Sequence, residues 1–213
     1  CAALGSLFWN RELTDMSFSA HPPKIGAETW PRYADLFEWQ LYNAASVGMG
    51  LDGRSYLYNN PLVCRDGRVQ RAAWYKCPCC PSNLSRTWAS LGKYVFSQEG
   101  DAIWVQQYIG SQAELGLDPA VRIQVHSGLP WQGKVTVRVE PVEPMEFTLH
   151  LRLPSWAMDV SAPSLTLNSD PLPVPPPVSP AQATASGYDP RRAQFIPLRR
   201  LWSPGDRLVL RLP

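Results

Sequence analysis

Proline sets the tightest limit on what this chain can fold into. There are 22 prolines in 213 residues, roughly twice the usual ~5%. Only 6 fall in residues 1–95, whereas 16 fall in residues 96–213. An interior proline removes a backbone donor and clashes with the preceding helical turn. The second half is therefore no long helical bundle. Strand ends and turns accept proline, and the pattern of the second half is read that way.

Hydrophobic spacing divides the chain at the same place. Residues 2–14 put Leu4, Leu7, Phe8 and Trp9 close to one helical face, and residues 15–27 read as a loop. A second helix is expected from Pro31 to about Gly48, carrying Leu36, Phe37, Leu41, Ala44 and Ala45. Asp52-Gly53 predicts a tight turn, with a strand-like run at 55–58. A third helix is capped by Ser82 and keeps Leu84, Trp88, Leu91 and Tyr94 on one face. That start places Cys79 and Cys80 just before its N-terminus.

Beyond about Phe96 the period shortens to two. Strands are expected at 103–105, 121–125, 134–140, 147–153 and 209–212. In 147–153 the alternation turns Phe147, Leu149, Leu151 and Leu153 inward, and Thr148, His150 and Arg152 outward. Residues 171–180 (PLPVPPPVSP) read as a polyproline-like surface loop. The fold class is α+β, a helical segment followed by an antiparallel β-sandwich.

The charge balance is 20 − 18 = +2, which gives no electrostatic case for nucleic acid or an anionic membrane. No apolar run is long enough for a transmembrane helix. Neither kind of partner is expected.

The chemistry is concentrated in the cysteines at 1, 64, 77, 79 and 80. An odd count with three thiols in four residues is a poor disulfide framework. It suits metal ligation or a reactive site, and weakly favours a reducing, cytoplasmic location. Thiolates are the reactive and ligating form, favoured by a helix N-terminus, by Lys76 nearby or by a bound cation. Zinc takes about four ligands, so the run Cys77-Pro78-Cys79-Cys80 with a remote Cys such as Cys1 would build a site. Inert reduced thiols are the plain alternative. His21, His126 and His150 read as surface or satisfied histidines, and Asp35 and Glu38 as a solvated helix face. Trp9, Trp39, Trp74 and Trp88 read as core, while Trp104, Trp131, Trp156 and Trp202 seal the β half or offer a sugar-stacking surface.

Several blocks resemble the bacterial β-L-arabinofuranosidases of glycoside hydrolase family 127 and its relatives. They include Cys1-Ala2-Ala3-Leu4-Gly5, Arg32-Tyr33-Ala34-Asp35 and Tyr58-Asn59-Asn60-Pro61-Leu62. Cys77-Pro78-Cys79-Cys80-Pro81-Ser82-Asn83 is the most specific, and Leu151-Arg152-Leu153-Pro154-Ser155-Trp156 carries the likeness into the β half. The resemblance implies that residues 1–95 end an (α/α)6 catalytic barrel and residues 96–213 form a β-sandwich domain. It implies Zn2+ held by Cys1, Cys79 and Cys80, with Cys79 also the nucleophile of a retaining glycosidase. Cys77 takes a supporting role, and Tyr58 faces the sugar. The implied substrate is an L-arabinofuranose-containing oligosaccharide or glycoconjugate, and a homodimer is compatible with it. The family's remaining zinc ligand is a Glu two positions before Cys1, and its acid/base Glu also belongs upstream. Residues 15–28 are enlarged relative to the family, and Arg11 stands where a His is common. The chain is thus expected to be a fragment, inactive on its own, of an active parent. A non-catalytic carbohydrate-binding module and a structural zinc module are the competing readings.

Overall fold

A computed structural model describes residues 1–19, 30–61, 63–65, 67, 69–158, 162–176 and 193–213. Three α-helices come first: α1 (Ala2–Ser19), α2 (Trp30–Gln40) and α3 (Cys79–Ala89). Helix α1 runs past the expected end at 14. Arg11 and Asp15 pair one turn apart at 2.9 Å, and the Thr14 hydroxyl donates to the Asn10 carbonyl at 2.9 Å, so the last turns close on themselves. Helix α2 continues as a π-helical turn, Leu41–Ala45, and a 3-10 turn, Ser46–Gly48. No strand forms at 55–58, where Tyr56 alone bridges Met49 on one side and Ala72 on the other. Leu4, Leu7, Phe37, Leu41, Ala45 and Leu84 make the helical core. Gly48 is required there, because a Cβ on it would lie 2.9 Å from Leu84 Cδ1.

Ten strands follow, in two sheets. One has four strands in the order β1 (Phe96–Glu99), β2 (Ala102–Val105), β6 (Met145–Leu153), β9 (Gln194–Trp202). The other has six: β3 (Ser111–Leu115), β4 (Val121–Ser127), β5 (Lys134–Pro141), β10 (Asp206–Arg211), β7 (Ser164–Leu167), β8 (Asp170–Leu172). Their pairing is antiparallel with one correction, since β2 and β6 run parallel with Ile103 opposite Leu149. The chain leaves the first sheet after β2, builds β3 to β5 in the second, and returns as β6. Strands β1, β3, β7, β8 and β9 carry weaker alternation and are additions to the sequence reading. Pro171 and Leu172 belong to β8, residues 173–176 have no regular structure, and 177–180 lie outside the described residues.

One apolar cluster joins the sheets, with Ile103, Phe147, Leu149, Leu151 and Trp202 from the first and Ile123, Val137, Leu165, Leu208 and Leu210 from the second. Each such side chain contributes about 1.5–3 kcal/mol when removed from water. Trp202 is fully enclosed and donates through its indole N–H to the Phe147 carbonyl at 3.1 Å.

The expected outward face of β6 needs correction. Arg152 is fully buried, and so are Asp35 and Glu38 of α2, which were expected to be solvated. Arg152 Nη1 donates to Asp35 Oδ1 at 2.7 Å, Nη2 donates to Glu38 Oε2, and Nε donates to the Gln106 carbonyl at 2.7 Å. Asp35 also accepts from the Ser155 hydroxyl at 2.6 Å, and Glu38 accepts from the Trp156 indole at 2.7 Å. Alternation along β6 is intact, but α2 covers this part of its second face, so the side chain that alternation turns out of the β core meets carboxylates in place of water.

His150, two residues earlier on that face, lies flat on Trp104, with centroids 4.5 Å apart and planes 7° apart. Burial lowers its pKa from 6.5 to about 4. The unfolded chain then binds more protons than the native one between those values, so this group withdraws stability as pH falls from 6.5 to 4 and is neutral above. His150→Phe should flatten that part of a plot of melting temperature against pH and leave the curve above pH 7 unchanged.

The tryptophan assignments divide. Trp104 and Trp202 are buried, whereas Trp9, Trp39 and Trp74, expected in the core, are exposed, as is Trp131. His126 is exposed, and His21 lies outside the described residues. Among the described residues no helix is long and apolar enough to cross a membrane.

Candidate metal and thiol centre

Helix α3 starts four residues earlier than the Ser82 cap predicts. Pro78 stands at the N-cap, and Cys79, Cys80 and Pro81 form the first turn. Proline fits this turn because its missing N–H would have had no partner there. Ser82 N–H makes the first helical bond, to the Pro78 carbonyl at 3.0 Å, and the Ser82 hydroxyl also reaches that carbonyl at 2.7 Å. The first turn of α3 therefore presents its partial positive end to the sulfurs of Cys79 and Cys80. Cys1 immediately precedes α1.

At that point Cys1, Cys79 and Cys80 meet. Their sulfur atoms all lie within 4.8 Å of one another. Cys1 Sγ is 3.6 Å from Cys80 Sγ, which is 3.8 Å from Cys79 Sγ. Cys80 is buried, Cys79 half-buried and Cys1 exposed, and none is in a disulfide. Three thiolates at this spacing would repel one another, so protons or a cation must lie among them. Tetrahedral zinc with Zn–S bonds of about 2.3 Å requires sulfurs about 3.8 Å apart, and the observed edges match that length. The donor set thus fits a zinc ion. Among the described residues no His, Asp or Glu joins the group.

Tyr58 stands at the edge of the cluster. Its carbonyl lies 3.8 Å from Cys80 Sγ, and its ring packs on Tyr75 with centroids 5.4 Å apart. The neighbouring Cys77 and Cys79 side chains, Cys77 foremost, push its phenol pKa up to about 12. It therefore keeps its proton at any working pH. A cleft beside the thiols is lined by Cys1, Cys80, Tyr58, Asn60 and small residues such as Ala44. Of the site residues expected from the sequence, Cys1, Cys79 and Cys80 form the cluster and Tyr58 stands at its edge, whereas Cys77 is exposed and its sulfur is not one of the group. Cys64 is exposed and is not part of the group. Sequence reasoning missed Asn83, whose side-chain amide donates to the Cys79 carbonyl at 2.6 Å and approaches Cys1 Sγ at 3.6 Å.

Comparison with known proteins matches two stretches of the chain. Residues 1–93 match the β-L-arabinofuranosidase GH127 catalytic domain, and residues 102–213 match the β-L-arabinofuranosidase GH127 middle domain. This chain belongs to the GH127 family. A non-reducing end β-L-arabinofuranosidase of Bifidobacterium longum subsp. longum is 30% identical over 154 residues, covering 65% of this chain and 23% of that protein. A crystal structure of a GH127 β-L-arabinofuranosidase from Geobacillus stearothermophilus T6 superposes with a TM-score of 0.75 at 31% identity, over 99% of this chain and 31% of that one. The GH127 β-arabinofuranosidase BT3674 superposes with a TM-score of 0.78 at 27% identity, over 100% of this chain and 32% of that one. The GH127 chain described here thus spans less than a third of the length of these relatives. Glycoside hydrolysis is the family's activity, and the thiol cluster falls within the catalytic-domain match.

Proposed function

We propose that this chain is part of a retaining glycoside hydrolase that cleaves β-L-arabinofuranosides with Cys79 as nucleophile and Cys1, Cys79 and Cys80 as zinc ligands. The observation that carries the reading is the sulfur triangle, with edges of 3.6 and 3.8 Å at the N-terminus of α3. In this reading residues 1–95 close an (α/α)6 barrel, and residues 96–213 are a β-sandwich domain beside it. When bound, zinc holds the thiols as thiolates at neutral pH. Of the two helix-borne thiols, Cys79 is the accessible one and adjoins the Tyr58 phenol, whereas Cys80 is buried. Cys79 Sγ attacks the anomeric carbon, the C–S bond forming as the glycosidic C–O bond breaks. The leaving oxygen takes a proton from a carboxyl group supplied by the part of the longer relatives that this chain does not span. That carboxylate then draws a proton from water, whose oxygen displaces Cys79 and regenerates the thiolate with net retention. Tyr58, protonated throughout, donates toward sulfur or a sugar hydroxyl, and Cys77 keeps its phenol in place. Thiol chemistry of this kind needs a reducing compartment, which supports a cytoplasmic location.

The test combines metal content with turnover. About one zinc per chain is expected by elemental analysis. The parent protein with Cys79→Ser should lose roughly 10⁴-fold or more in turnover of a β-L-arabinofuranoside while retaining its helical circular dichroism. The 213-residue chain alone should show no turnover. Loss of zinc and stability with no turnover in the parent would favour a structural zinc module, and sugar binding without zinc a carbohydrate-binding module.

A further inference from the structure

We infer that Asn83 is a positioning residue for the thiol centre, holding the Cys1 sulfur in place by an N–H···S hydrogen bond; this rests on the metal reading above. Both hydrogens of its side-chain nitrogen are engaged. One goes to the Cys79 carbonyl at 2.6 Å, the other to Cys1 Sγ at 3.6 Å. The amide orientation is fixed by the first contact, since the opposite flip would set two acceptor oxygens 2.6 Å apart. Asn83 sits one turn beyond Cys79 on α3, while Cys1 precedes α1, 82 residues away. One side chain therefore ties together the first turn of α3 and the thiol that comes from the other helix.

Cys1 is where such a tie matters. It is the exposed member of the triangle, whereas Cys80 is buried and touches both of the other sulfurs. A free exposed thiol explores several rotamers, and only some face the other sulfurs. Donation from Asn83 selects the ligating rotamer and draws charge from the sulfur, easing repulsion among three thiolates. Outer partners of metal ligands commonly govern affinity by 10–100-fold, and the same range is expected here, roughly.

Cobalt(II), which reports thiolate ligation through its near-ultraviolet charge-transfer band, tests this in the parent protein. Asn83→Leu keeps the approximate shape and removes both donors. It should bind cobalt roughly 10–100-fold more weakly than the wild type and shift the band to longer wavelength, with helical circular dichroism retained. A role confined to capping α3 would lower thermal stability without moving the band. Equal affinity and an unshifted band in Asn83→Leu would overturn the assignment while leaving the metal reading intact. Failure of the wild type to take up cobalt would overturn the metal reading and this assignment with it. Should Asn83→Leu not fold, the wild type loaded with cadmium-113 decides the question. Scalar coupling between the metal and an Asn83 amide proton through Cys1 sulfur is expected, and its absence with Cys1 ligated overturns the proposal.

Discussion

Arg152→Met is expected to lower stability by about 3–5 kcal/mol, the usual cost of breaking a buried ion pair from one side. For a chain of this length that corresponds to a melting temperature roughly 10 °C lower. The network holds one guanidinium against the carboxylates of Asp35 and Glu38, so its formal charge is already −1 when intact. Removing the cation leaves two buried carboxylates with only Ser155 and Trp156 among their identified donors. They must then take up protons or draw in water, and either response loosens the packing of α2 on β6. Replacing all three charges together, as Arg152→Met with Asp35→Leu and Glu38→Met, should recover much of the loss, because the desolvation cost leaves with the charges. Urea denaturation of the single and triple variants checks both halves of the statement. A loss below about 1 kcal/mol for Arg152→Met would place the pair in the class of solvent-screened bridges and contradict its burial.

The second large effect concerns the metal. Cys80→Ala should abolish the zinc-dependent part of the protein's thermal stability. Cys80 is the buried sulfur from which the two measured edges of the triangle run. A structural zinc site contributes on the order of 10 kcal/mol, held jointly by its ligands and lost when the set is broken at its buried member. Melting curves with zinc and with chelator should differ in the wild type and coincide in Cys80→Ala. Unchanged zinc content in that variant would show that the ion, if present, lies elsewhere.

The thiol centre was legible in the sequence because cysteine is rare and the adjacent Cys79 and Cys80 bring two sulfurs to one helix start. Its remote member, Cys1, was reachable only because the chain offered few other thiols and because the resemblance pointed to it. The division into helical and β halves followed from proline placement and from the change of period near Phe96. Other features depended on tertiary contacts that spacing does not encode. Arg152 alternates as an outward residue, yet α2 covers its face of the strand. Asp35 and Glu38 share a helix face three residues apart, a pattern identical for solvated and for paired carboxylates. A signal for the pairing did exist, since Asp35, Arg152, Ser155 and Trp156 all lie within the blocks that carry the family resemblance, where ordinary surface positions would vary. Asn83 also lies within such a block, but the block did not say what its side chain touches. Its role depends on Cys1 being brought beside α3, and an Asn-Leu-Ser triplet looks the same in either setting.

The place of β10 bears on how the chain matures. In the six-stranded sheet it is the only link between β5 and β7, pairing with one along each edge. Until residues 206–211 have left the ribosome, β3-β4-β5 and β7-β8 are two separate ribbons with bare edges and an open apolar surface. Strand β9, which completes the other sheet beside β6, is made only shortly before. Until β10 has emerged a nascent chain of this kind depends on chaperone cover, and a nonsense mutation ahead of β10 would yield an aggregating product rather than a shortened domain.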